Sequence, residues 1–514
     1  MTRPPAPAPG RPPFTNPARA VLAMILLGTA VRIVLAATIG LGVDESYMVA
    51  VARPVSASYF DHPPLSFWIP AAVAHLGGGM HPLALRLPFI LFFAATTWLT
   101  FRVGALLFGE QAGALGAVLL NLSPVFSVTT GGWILPDGPL MCFMMATVLA
   151  LAHALLDPAE RRTGAWWLAA GVFSALAMLS KYHAVFLLAG TALFLVTDPE
   201  RRIWLRRPAP WIAVAIALAG LAPVVLWNAA HHWVSFRFQG GRASPAGVHP
   251  LALLASLGGQ AGYVLPWIWV PLVVVWVGAL RRGPRDPARW LLCCIASGPI
   301  FVFTLPSLGG HPGLPHWEAP GYLLLFPLLG AAAAARWADG AQRVRRWLLF
   351  SAVAFGVLLL VAATQSATGW MERVWPRLAT RGDPTLEMLD WSDLRGALAA
   401  RGLLDRPGLF VAAPGWSQAG KAAYALGPEV PVLCLCTAPH QFGYVHDQRD
   451  FLGHDAVIVD RTQGRSAVPE LYGKYFAAID SLGAVELRRN GRPAERLALF
   501  YARDFERPYP MQVP

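Results

Sequence analysis

Over the first two thirds of this chain the apolar residues do not alternate with polar ones; they run on. Apolar stretches occur at 19–41, 82–107, 111–129, 135–156, 164–180, 182–197, 210–228, 251–280, 290–306, 317–338 and 346–363. Most approach or exceed the ~20 residues that an α-helix needs to cross ~30 Å of hydrocarbon. The pattern predicts an all-α membrane domain of eleven to thirteen spans over 19–363, with a shorter apolar piece at 64–77 as a re-entrant or interfacial helix. After 363 the pattern changes. "LDWSDLRGALAARGLL" has the spacing of an amphipathic helix, and "GLFVAA", "VPVLCLC" and "DAVIVD" read as short buried strands. Residues 364–514 are therefore expected to form a soluble α/β domain, of a length suited to one domain.

Composition agrees with a membrane protein. Of 514 residues, 55% are hydrophobic and only 14% charged, against about a quarter in soluble domains. The net charge of +12 would suit a polyanion, but its placement excludes nucleic acid as the reading. Arginines cluster at 161–162, 201–207, 281–289 and 336–346, whereas loops 124–134 and 307–316 hold no Lys or Arg. With the N-terminus in the cytoplasm, every cluster falls inside, as the positive-inside rule requires. The Pro-rich segment 1–18 is expected to be a disordered cytoplasmic tail. The first apolar run is too long for a cleavable signal, and an odd span count places 364–514 outside, in the periplasm of a bacterial inner membrane. Five cysteines show no zinc-type spacing, and a disulfide between Cys434 and Cys436 would be strained.

This topology gathers the ionisable residues without a positive-inside role on one face. Asp44, Glu45, Asp61 and His62 share the outer loop 42–81. Asp137 lies in "GGWILPDGPL", Lys181 in "LSKYHAVF", and His231, His232, Arg237 and Arg242 in "NAAHHWVSFRFQGGR". His316, Trp317 and Glu318 lie in "GGHPGLPHWEAPGYL". Polar groups at membrane depth are costly and mark function. Each also has a structural reading: Asp44 and Glu45 as a helix cap, Asp61-His62-Pro-Pro as a turn, and the histidine pair as part of an interfacial aromatic belt. Neither a P-loop nor a GxSxG motif is present in a suitable context. A carboxylate that takes a proton, with cations that hold a phosphate, suits group transfer from a lipid-linked donor.

The motifs "DESY", "YFDHPPL", "LPDGPL", "LSKYHAVF" and "PHWEAPGYL" together resemble the family-39-type membrane glycosyltransferases of GT-C fold, which include the lipid A aminoarabinose and protein O-mannosyl transferases. The resemblance covers the whole chain. It implies an inverting transferase that moves a sugar from a polyprenyl phosphate to a lipid A, lipopolysaccharide or other glycan acceptor on the periplasmic face. It implies Asp44 as general base, Glu45 as its orienting neighbour, and Asp137 as a second catalytic carboxylate. Lys181, His62, Arg237 and Arg242 become candidates for the donor phosphate, and Tyr47, Tyr59, Tyr182, His316, Trp317 and Glu318 for substrate. The aminoarabinose enzymes read D-E-x-R-Y and F-E-K-P-P-L; this chain lacks that arginine and has His62 in place of the lysine. Its "FDHPPL" is closer to the bacterial branch that includes lipid A galacturonosyltransferases.

The resemblance also points to a divalent metal, zinc or magnesium, near Asp61. His231 or His232 would complete the ligands, since carboxylate plus imidazole is suitable zinc chemistry. Two other classes stand beside the transferase. A transporter or flippase of a lipid-linked saccharide would place its ionisable groups nearer the midplane, and a membrane scaffold for the outer domain would need no reactive carboxylate at all.

Overall fold

The computed structural model describes residues 12–241, 247–310, 313–375, 382–461 and 466–512. Among them, six helices are long and apolar enough to cross a membrane, or nine if each of three bent pairs is one span. The first, α1, is Pro17–Thr38; Pro17 starts it and the Asn16 side chain accepts from Arg19 N at its N-cap. Residues 1–11 of the expected tail lie outside the described residues. The rest of it is ordered: Phe14 N donates to Gln111 Oε1 and Phe14 O accepts from Gln111 Nε2, a reciprocal pair that composition does not reveal.

Two of the expected spans are rebuilt. The stretch 251–280 becomes helices Pro250–Val264 and Pro266–Arg285, set 110° apart. Leu265 at the break has φ 81°, and Pro266 removes an amide from the helical ladder. Glu110–Asn121 likewise turns by 79° into 125–132. The last two spans form a single helical stretch, Phe326–Thr368, broken at Gly340. At 1.5 Å per residue an unbroken helix of that length would reach about 65 Å, twice the hydrocarbon thickness. The break divides it near the expected loop, and the second arm runs past 363 to Thr368.

Between α1 and the helix Pro82–Phe108, the loop 42–81 folds into α2 (Val43–Val51) and α3 (Leu65–Val73), the latter continuing to Gly78. Helix α2 is buried from Glu45 to Val51, which is unusual for a loop element at a membrane exit. What covers it is the C-terminal part of the chain.

From Pro384 onward the chain builds a five-stranded sheet in the order β2-β1-β3-β5-β4. Strands β1 (Leu409–Ala413), β2 (Val432–Cys434) and β3 (Asp455–Arg461) are the three expected from sequence, and they pair in parallel. The sequence reading missed β4 (Phe476–Arg489) and β5 (Arg492–Phe505), a long antiparallel hairpin. Its signal was Asn490-Gly491 between the strands; both residues have positive φ, 49° and 74°, as a primed hairpin turn needs. The Sγ atoms of Cys434 and Cys436 lie 2.8 Å apart at the end of β2.

The helix Trp416–Leu426 joins this sheet to α2. A methyl on Gly420 would come within 2.7 Å of Tyr47 Cα, so glycine permits the contact. Next to it, Lys421 is buried and donates to the carbonyls of Leu41 and Leu389, each at 2.7 Å. Burial pushes its amine down to about 8, while the unfolded chain holds that proton to about 10.4. Between those pH values the unfolded state binds more protons, so Lys421 makes stability rise with pH. Thermal denaturation from pH 8 to 10.5 should show this as a gain that wild type has and Lys421→Met lacks. Parallel curves for the two proteins would contradict it.

Candidate active site

The amino end of α2 is held by one carboxylate. Glu45 reaches back to the amide of Gly42 at 2.7 Å, the first half of a capping box. It also accepts from Arg86 Nε and Nη2 at 2.7 and 2.5 Å and from Ile134 N at 3.0 Å. Arg86 in turn donates to the carbonyls of Ile39 and Gly40. Both partners are buried. Glu45 thus ties the end of α1, the start of α2, the helix Pro82–Phe108 and the loop before Asp137 to one point.

Asp61 is the second tie. Its carboxylate accepts from the Tyr47 hydroxyl and pairs with His440 Nδ1. Gln441 N donates to Tyr47 Oη at 2.9 Å, and Phe60 N donates to Gln441 Oε1 at 2.7 Å. Tyr47 therefore acts inside a buried network rather than on open substrate-facing surface. Burial and the adjacent Asp61 charge hold its phenol well above the usual range.

The third pair is Asp137 with Lys181. Lys181 Nζ lies 3.0 and 2.9 Å from the two carboxylate oxygens, and both residues are buried. An ammonium has three N–H donors, so one remains for a ligand. His316 and His183 are close enough for their charges to act on Asp137, and His62 acts on His183. Burial lowers His316 to about 4, so at neutral pH it is an uncharged imidazole.

Asp44 differs from these acids. Among the described residues its carboxylate has no hydrogen bond or ion pair. It is exposed, yet protein surrounds it, as at the wall of a recess. Lost hydration comes first, and the charges of Glu387, Glu45, Asp61 and Asp137 follow; together they lift its pKa to about 6. Glu45, Asp61 and Asp137 are engaged by hydrogen-bonding partners, and Asp44 is left available.

Other expected site residues have different surroundings. Tyr59 is fully buried, stacks on Phe67 at 4.1 Å and accepts from Ser56 N. Glu318 accepts from Gln260 at 2.9 Å, and Tyr322 donates to Gln260 Oε1 at 2.6 Å. Trp317 packs edge-on against Phe303, and Tyr182 packs at a tilt against Phe236. Arg237 is exposed and donates to the His232 carbonyl, and Arg242 lies outside the described residues. Asp61, His231 and His232 do not come together as metal ligands. Asp61 is taken by Tyr47 and His440. His231 Nδ1 contacts Trp227 O at 2.7 Å while its ring stacks on Trp227, and His232 is exposed in a turn with φ 56°. The one group of metal-type ligands among the described residues is His153, in the last turn of helix Asp137–Leu156, with Asp157 and Glu160 just after it, at the opposite end of that helix from Asp137.

The sequence reading missed Arg86, His440, Gln441 and Lys421. An arginine within an apolar run was the one available signal for Arg86. The other three act through contacts with residues about 380 positions away.

Residues 61–227 match the family described as dolichyl-phosphate-mannose-protein mannosyltransferase. Lipid A galacturonosyltransferase RgtD of Rhizobium johnstonii is 26% identical over 269 residues, 52% of this chain and 55% of that protein. Undecaprenyl phosphate-alpha-4-amino-4-deoxy-L-arabinose arabinosyl transferase 1 of Proteus mirabilis is 25% identical over 270 residues, 48% and 47% of the two chains. The match thus spans about half the length of these curated relatives. The crystal structure of ArnT from Cupriavidus metallidurans in the apo state superposes with a TM-score of 0.64 at 15% identity, over 94% of this chain and 98% of that one. The same protein bound to undecaprenyl phosphate gives 0.60 at 16%, over 93% and 97%. The fold is therefore ArnT-like, the GT-C type expected from the motifs.

The geometry separates two adjacent acids. Glu45→Ala leaves the Arg86 charge buried without its partner, a loss of ~3–5 kcal/mol by the usual cost of breaking a buried pair. Asp44→Asn removes no contact. We expect Glu45→Ala to lower the denaturation midpoint or the folded yield sharply, with Asp44→Asn close to wild type. Equal midpoints for the two would remove the structural role of Glu45.

Proposed function

We propose that this protein is an inverting glycosyltransferase that moves a sugar from a polyprenyl phosphate to a glycolipid acceptor at the outer face of a bacterial inner membrane. The observation that carries the reading is Asp44: a carboxylate with no partner among the described residues and a raised pKa, in a recess where Glu45, Asp61 and Asp137 are all engaged. The names of the relatives supply the reaction class, since both transfer sugars, one of them to lipid A. Arrangement on one face favours chemistry over transport, because a flippase has no use for an unpaired base near the Lys181 ammonium.

The proton and the leaving group can both be followed. The acceptor hydroxyl gives its proton to Asp44 as its oxygen bonds to the anomeric carbon. The bond from that carbon to the phosphate oxygen breaks, and polyprenyl phosphate leaves with the electron pair. The third N–H of Lys181 and the neutral imidazole of His316 are the donors placed to receive growing negative charge. His62 stands where the aminoarabinose enzymes have lysine, which shifts more of this task to Lys181. Asp137 holds Lys181 in place. A pKa near 6 makes Asp44 a better proton acceptor than a free aspartate, whose value is about 3.9.

A divalent ion at Asp61 would compete with Tyr47 and His440 for the carboxylate. Elemental analysis of purified protein and of Asp61→Ala tests it: bound metal in the first and not the second would support that site, and equal content would remove it.

Activity requires the Asp44 carboxylate, so transfer should rise with pH through about 6 and then level. Asp44→Asn should lose at least ~10²-fold, the usual share of a general base. Wild-type transfer by that variant would end the assignment. The outer orientation is tested separately. A reporter fused after Pro514 should be active only if exported, and a cytoplasmic readout would reverse the topology.

A further inference from the structure

Helix α1 and the second arm of Phe326–Thr368 do not close on each other. Between them lies an apolar cleft of about 330 Å³, lined by Leu27 and Val31 on one side and Phe355 and Leu359 on the other. Leu27 is 70% exposed at its edge, so the cleft opens sideways into the bilayer. Its outer end reaches the reaction site. Arg86 in its wall pairs with Glu45, and Met388 in its wall follows Glu387, the charge that acts most on Asp44.

Among the polar residues that line this cleft, which include Asn121 and Ser127, one is a cation deep on α1. Arg32 lies six residues before the end of α1, about 9 Å below it. Its Nε donates to Ser127 O at 2.9 Å, and its guanidinium covers Phe93 at 4.4 Å. Among the described residues its two Nη groups have no hydrogen-bond partner. Gly28 makes room for them: a methyl there would come within 2.7 Å of Nη1. A cation with four free N–H donors in a greasy cleft needs oxygen from whatever fills it.

We propose that this cleft holds the hydrocarbon of an acylated acceptor lipid, with Arg32 bonded to an ester, amide or hydroxyl oxygen of its chains. This inference rests on the transferase reading and names the acceptor class for it. The chemistry decides between the lipids of the reaction. A polyprenyl chain is bare hydrocarbon below its phosphate and offers Arg32 nothing. An acylated lipid carries oxygens beneath its head group and would present that head group beside Asp44. The donor phosphate then belongs with Lys181.

Photo-crosslinking of the full-length protein in nanodiscs tests this with two probes, lipid A bearing a diazirine in an acyl chain and undecaprenyl phosphate bearing one in its isoprenoid chain. The acyl probe should label 24–39 and 355–366 well above the lipid-facing helix Pro266–Arg282, and excess unlabelled lipid A should compete. Ala363→Trp, which fills the cleft, should abolish that labelling, and Arg32→Leu should weaken the competition about tenfold, as expected for loss of a charged hydrogen bond. Asp44→Asn should label as wild type, so binding is read independently of transfer. Labelling of these segments by the isoprenoid probe in preference, or by neither probe above the control helix, would overturn the proposal. So would full labelling in Ala363→Trp.

Discussion

Glu45 is the constraint on which the candidate site depends. Its two oxygens take four hydrogen bonds from Gly42, Arg86 and Ile134, and none of them comes from solvent. A buried ion pair is not a strong net stabiliser, because desolvation offsets most of its attraction. Its value here is positional. With Arg86 also bonded to Ile39 and Gly40, the exit of α1, the start of α2 and the approach to Asp137 have fixed relative places. Asp44 stands one residue away, so it points into the recess with an orientation set by its neighbour.

The C-terminal sheet extends the same logic. It does not sit on the membrane part as a passive cap. His440 and Gln441 complete the Asp61–Tyr47 network, Lys421 holds Leu41, and Gly420 lets its helix press on Tyr47. Helix α2 is therefore clamped from below by Arg86 and from above by the helix Trp416–Leu426. The energetic consequence is a set of acids sorted by partner. Glu45, Asp61 and Asp137 each have hydrogen-bonding partners, and Asp44 feels their charge without a cation of its own.

The site has two approaches of different character. One, at Lys181 with His316 beside Asp137, is polar. The other is the apolar cleft under Arg86, open to the bilayer. A transferase that joins two lipid-borne substrates needs both, and α2 lies between them.

Much of this was legible in the chain. Helical spans announce themselves because hydrocarbon leaves a backbone no other way to satisfy its hydrogen bonds, and arginine placement supplies an expectation for their direction. The acids at the span exit stood out for the same reason: charge there is costly. Three parallel strands were visible as apolar runs, while the hairpin β4–β5, whose outer positions alternate, was overlooked despite its Asn-Gly turn. What the sequence could not tell was which acid is free. Asp44 and Glu45 are neighbours with the same chemistry, and only folding brings Arg86 to one and leaves the other bare. The Asp61 network, the Lys421 clamp and the cleft at Arg32 likewise arise from contacts across tens to hundreds of residues. Local patterns report the solvent each segment must face; partners and pKa values depend on what packs beside it, and that is decided only in three dimensions.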